Sequence, residues 1–331
     1  MSPKENVEHI IQNFIVAEPE NCHSIKNNLI LAVNTPIAAT EATSLLISYI
    51  INIGHEMGNN GFYKTVHSPE RMVMILEVLH ECLTAGADFE PVISPISRLL
   101  HLDRKEREKS QTELYLQYRV AALLNEALRM GIAFPKEAIN RILSPHYFSD
   151  KQTKEYICSI YWSLAEQGVD ISCKINDLIT IFRNKETPTL ENNSLSALWA
   201  AVRKGFFDSH IPDSDKTCRV WLWHLVTTCT WKLKTKYEEI TRLGSVGCLI
   251  ETARRYPQTQ SLILECMEKW GIREPKRPRT DFHHDLVVLF SLCKDNPGTT
   301  CLPANYTITK KLDSCIFPSD PKNGHTGGVK E

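Results

Sequence analysis

The residues in this chain best suited to chemistry, or to holding a partner, gather in its last third. Glu274-Pro275-Lys276-Arg277-Pro278-Arg279 places three cations within four residues and holds them extended between two prolines. Lys276, Arg277 and Arg279 therefore suit the acidic groove of a nuclear-import receptor, with an exposed linker as the plain alternative. Shortly after come His283-His284-Asp285, and imidazole and carboxylate are common metal ligands. Neighbouring positions on a helix point in different directions, however, and no third ligand follows one turn on. The spacing predicts a solvent-facing helix start capped by Asp281, and no metal site. Cys22 with His23, and His80 with Cys82, are no better placed as ligand pairs.

Trp221, Trp223 and Trp231 are half of the six tryptophans, and they lie within one segment from Val220 to Tyr237 that also holds Lys232, Lys234 and Lys236. Indoles beside cations can stack bases or anchor a protein partner. Buried in a core helix, they would instead fill the gap between stacked elements; exposure of any of the three would mark it as interface. No G-x-S-x-G elbow, phosphate loop or Cys/His arrangement with catalytic spacing occurs, so the expectation is a non-enzyme without cofactor or metal.

The composition is that of an ordinary globular chain. The 331 residues, 42% hydrophobic and 23% charged, suffice to bury a large core or a stack of small ones. A net charge of −1 lacks the bulk attraction of a general nucleic-acid binder. Eleven cysteines, an odd number with no C-x-x-C pair, read as reduced and mostly buried. No signal-peptide pattern opens the chain, and no apolar run reaches membrane-spanning length; Leu45 to Ile53 is interrupted by Ser48, Tyr49 and Asn52. An intracellular location is expected, the nucleus favoured over the cytoplasm, which leaves the sequons at Asn192 and Asn305 as chance matches.

The elements that must position these residues read as helices throughout. Ile10, Ile11, Phe14 and Ile15 form one apolar stripe; Met72, Ile75, Leu76, Leu79 and Leu83 another; Leu116, Val120, Leu123, Leu124 and Leu128 a third. Gly86, Gly131, Gly168 and Gly205 each close such a segment, at steps of 45, 37 and 37 residues, and Gly271 suggests a fifth copy. Each glycine supplies a left-handed helix end, and an apolar residue soon after packs back on the last turn. A second amphipathic segment follows the first three: Ile93, Ile96 and Leu99; Ile139, Ile142 and Leu143; Ile175, Leu178 and Ile181. The expected fold is all-α, built of stacked antiparallel helix pairs as an α-solenoid or a compact helical-repeat bundle, because a single pair cannot cover its own apolar faces. The helical-repeat domain spans 1–292, clearest over 70–210. The mixed-sign run Asp103–Lys109 reads as a solvated helix face or an exposed loop, a loop is expected at Asn184–Ser194, Phe207–Lys216 separates the fourth copy from the tryptophan segment, and a loosely ordered or disordered tail, rich in proline and glycine, is expected over 293–331.

Leu83-Thr84-Ala85-Gly86-Ala87-Asp88 resembles the close of an ankyrin helix, although no copy carries the T-P-L-H opening. Tyr156 to Phe182, with Leu164, Gly168, Val169 and Asp170 at its centre, resembles a pentatricopeptide unit, and the 37-residue step is near that period or the tetratricopeptide one. The pentatricopeptide likeness implies single-stranded RNA read one base per repeat. More diffusely, the all-α chain with its basic proline cluster is similar to the Nse5-like helical region of localisation factors for the structural-maintenance-of-chromosomes machinery. The sequence thus points to a non-enzymatic protein-interaction scaffold, a subunit or adaptor of a nuclear genome-maintenance complex. Its partner would be another protein rather than a membrane, and RNA binding by helical repeats is the alternative.

Overall fold

A computed structural model describes residues 3–56, 69–100, 111–144, 148, 150–208, 216–230 and 235–294. Within these the chain is all-α: helices and single 3-10 turns, with no strand. Residues 103–109 and 209–215, and all but the first two residues of the expected tail, lie outside the described residues. The last helix runs to Lys294, so residues 293 and 294 belong to it.

The chain divides into two compact units at Ser163/Leu164. Unit 1 contains α1 (Pro3–Val16), α2 (Pro19–Ala32), α3 (Pro36–Glu56), α4 (Pro69–Thr84), α5 (Glu90–Arg98), α6 (Gln111–Arg129), α7 (Lys136–Ile142) and most of α8 (Lys151–Glu166). Its odd-numbered helices α1, α3, α5 and α7 pack one on the next, as do the even-numbered α2, α4 and α6, so two layers form. The close sequential neighbours are α1 with α2 and α3 with α4. The Gly86 turn after α4 therefore leads out of the second close pair into α5, which packs on α3 and α7. Arg71 of α4 ties the first layer to the second by donating to the carbonyls of Ile15 (2.7 Å) and Ala17 (2.6 Å) at the end of α1, whose last carbonyls have no intrahelical partner.

Unit 2 follows the same rule with the end of α8 and then α9 (Ile175–Asn184), α10 (Pro188–Lys204), α11 (Lys216–Cys229), α12 (Lys236–Arg255), α13 (Gln260–Lys269) and α14 (Asp281–Lys294). Here α9, α11 and α13 make one layer and α10, α12 and α14 the other. A three-residue connection joins α9 to α10, which pack along their length, so they run antiparallel.

The five glycines lie at helix ends, with φ between 67° and 86°. Each makes the same pair of bonds. At Gly168 its N–H reaches the Ala165 carbonyl (2.9 Å) and the next N–H, of Val169, reaches Leu164 (2.9 Å); at Gly205 the acceptors are Val202 (3.1 Å) and Ala201 (2.9 Å). This double closure satisfies the orphan carbonyls of the last turn. Space distinguishes the sites: a Cβ at Gly168 would meet nothing, whereas one at Gly205 would run into the Arg255 guanidinium, which donates to the Arg203 carbonyl at 3.0 Å. Gly168→Ala is expected to cost about 1–2 kcal/mol in urea unfolding, the price of a left-handed L-residue. Gly205→Ala should cost more, because Arg255 must also give up its bond; equal costs would remove Arg255 from the account.

One expected loop is a helix instead. Asn184–Ser194 contains the start of α10, where Thr187 is N-cap, its side chain accepting from the Leu190 N–H (3.1 Å), and Pro188 occupies the first helical position. Thr-Pro here is a helix-start signal, not a turn. Packed between α9 and α12, α10 is buried continuously from Leu190 to Val202. Its polar side chains must find partners inside: Ser194 donates to the Glu191 carbonyl (2.9 Å), Ser196 to the Asn192 carbonyl (2.9 Å), and Asn192 Oδ1 accepts from Thr241. Glu191 Oε1 has no hydrogen-bond partner among the described residues.

Candidate partner-binding surface

The face that could hold a partner is built on α11. Cys218, Trp221, Leu222, Leu225, Val226 and Cys229 recur at helix period and are all buried. Arg219, Val220 and Trp223 fall on the opposite side and are exposed. Two positions along a helix are about 200° apart, so Trp221 and Trp223 cannot share a face. Trp221 is 0% exposed and stacks on Phe207, ring centroids 4.5 Å apart at 27°. It belongs to the core of unit 2, which corrects its place among the interface candidates. Thr228, on the same buried side, hydrogen-bonds Ser245 of α12 at 3.0 Å.

Trp223 is 38% exposed and meets Trp270, itself 39% exposed, edge to face at 5.4 Å and 62°. Trp270 comes from the end of α13, which packs on α11. Val220, one turn before Trp223, extends the apolar surface. Of the three candidate tryptophans the structure thus exposes Trp223, buries Trp221, and leaves Trp231 outside the described residues. Trp270 was missed by sequence reasoning, although its place directly before a helix-closing glycine put it at an element end, where side chains reach a neighbour's surface.

Cations, together with the exposed α13 carboxylates Glu265 and Glu268, lie around this pair. His224 follows Trp223, and its pKa lies below the usual imidazole value because burial disfavours the charged ring and Arg183 and Lys185 add positive field. Arg219 is exposed on α11, within electrostatic reach of Glu265 and Lys269 on α13. Arg273 follows Trp270 by three residues and is exposed. Lys185 is held at φ 52°, a left-handed backbone for a residue with a Cβ, where it ends α9.

Lys276, Arg277 and Arg279 are exposed between α13 and α14 and make no ion pair with described residues, while Glu274 pairs with Lys294 at 2.6 Å. The expected cap of α14 shifts by one residue: Thr280 Oγ1, not Asp281, accepts the His283 N–H (3.3 Å), and the His283 ring faces the same hydroxyl at 3.1 Å. Threonine at the last non-helical position offers its oxygen to the first turn in the way Asp281, already helical, does not. Among the described residues no three His, Cys, Asp or Glu side chains are grouped to hold a metal. Nine cysteines are described; none of them forms a disulfide, and seven are buried. Burial pushes the Cys82 thiol up to about 11. No described helix is long and apolar enough to cross a membrane. No family model, curated protein or solved structure matches the chain.

Proposed function

We propose that this chain is a non-enzymatic protein-interaction scaffold, a subunit or adaptor of a nuclear genome-maintenance complex. The observation that carries the reading is the Trp223–Trp270 pair: two adjacent indoles left partly in water by a fold that buries Trp221 fully. Indoles supply large apolar area at small entropic cost and dominate the energetics of protein interfaces. The layered helices support the same reading, because helices stacked in layers present broad rigid faces. The likeness to tetratricopeptide units and to the Nse5-like helical region agrees with it, whereas the pentatricopeptide likeness is the basis of the RNA-binding alternative. Lys276, Arg277 and Arg279, exposed and flanked by prolines, are the nuclear-import motif in this proposal.

The test is chemical cross-linking of the full chain in nuclear extract, followed by mass spectrometry. The expected result is one protein recovered in stoichiometric amount, cross-linked to lysines of unit 2. Recovery of no protein, with retention on a single-stranded RNA column that falls steeply with salt, would overturn the proposal in favour of RNA binding. For the import motif, the combined K276Q/R277Q/R279Q change should move a fluorescent fusion from nucleus to cytoplasm. An unchanged distribution removes that role.

A further inference from the structure

The partner's chemistry can be narrowed from the surroundings of the two indoles, and this step rests on the scaffold reading. Trp223 and Trp270 meet at 62°, so the edge of one ring covers part of the other's face. What remains outward is an apolar corner formed by the two indoles and Val220. A row of stacked bases needs flat open ring faces instead. Cations flank the corner, beside the α13 carboxylates Glu265 and Glu268. Arg183 and Lys185 act on His224 beside Trp223, Arg219 is exposed on the same side of α11, and Arg273 follows Trp270. Arg183, Arg219 and Arg273 make no ion pair with described residues. Exposed Glu265 and Glu268 on α13 interrupt the positive surface, which opposes a continuous phosphate track but not a peptide whose acidic residues lie on either side of its anchor.

We propose that the Trp223–Trp270 corner is a docking site for an acidic peptide segment of a partner protein. An apolar anchor seats on the two indoles, and flanking carboxylates pair with Arg183, Arg219 and Arg273.

The site is tested on the full chain by fluorescence anisotropy with three labelled probes: a synthetic peptide with a central Leu-Phe flanked by glutamates, its counterpart with glutamines, and an oligothymidylate of similar length. The acidic peptide should bind with a Kd on the order of 10 µM, and the glutamine peptide at least about tenfold more weakly. The double change Trp223→Ala and Trp270→Ala should weaken the acidic peptide at least about tenfold, while Trp223→Phe with Trp270→Phe keeps most of the binding. Retained circular dichroism in each variant ties any loss to the surface. The combined R183Q/R219Q/R273Q change should weaken binding about tenfold and flatten its salt dependence. K276Q/R277Q/R279Q should stay within about threefold, because those residues serve the import motif.

Equal binding of the acidic and glutamine peptides, unchanged binding by the alanine pair, or binding of oligothymidylate in place of peptide would each overturn the site. The scaffold reading fails separately. If cross-linking recovers the same partner from the alanine pair, the scaffold stands and the corner is not its docking site. If the peptide binds at the indoles while no protein is recovered from nuclear extract, the scaffold reading falls and the site remains.

Discussion

Truncating Trp221 to alanine is expected to destabilise the protein by about 3–5 kcal/mol, the range for removing a large aromatic from a filled core. Its indole is 0% exposed and packed on Phe207, so deletion leaves a void that the surrounding helices can only partly close. Trp223→Ala, two residues away, should cost only about 1 kcal/mol, from the lost edge-to-face contact and a modest burial. The ordering is checked by denaturant unfolding of the two variants side by side. Equal losses would mean that Trp223 is as deeply packed as Trp221, and the exposed corner would be wrong.

Glu191 is expected to make stability fall as pH rises. Its carboxyl is buried in α10, and removal from water pushes its pKa up from 4.5 to about 7; Lys185 pulls it down somewhat and Glu238 adds to the rise. Below pH 4.5 the group is protonated in the folded and unfolded states alike, and the folded state's preference for the neutral acid is fully present. Between pH 4.5 and about 7 the unfolded chain ionises while the folded one resists, so stability is lost progressively. The loss amounts to about 3 kcal/mol by the time the folded carboxyl has titrated. Glu191→Gln, uncharged throughout, should be more stable than the parent at pH 8 by about 2 kcal/mol and should lose this part of the pH dependence. The check is the difference between the two unfolding free energies from pH 4 to pH 8. A difference that stays flat would sink the assignment, since every other group titrates in both proteins.

The helical class and the glycine-closed ends were legible because they depend on local physics. A glycine between an apolar stripe and a following apolar residue can close its helix wherever the helix lies, and all five glycines have positive φ. The α10 boundary was misread where two local signals compete. Thr187-Pro188-Thr189 and Asn192-Asn193 are turn formers by composition, yet the same Thr-Pro starts a helix when the apolar residues that follow have α9 and α12 to pack against. Trp221 and Trp223 could have been told apart as a pair, since their spacing forbids one face. Which of them is buried was set by Phe207 and by Trp270, residues 14 and 47 positions from the relevant partner. The cations beside the indoles come from three separate elements, and only the fold gathers them.

In each unit a helix leans chiefly on its nearest and next-nearest neighbours along the chain. Ordering one more helix therefore closes only a short length of polypeptide, with little entropy to overcome before contacts reward it. Folding is therefore expected to begin at several places, and a lesion in one described helix to fray the adjoining helices before those farther along the chain.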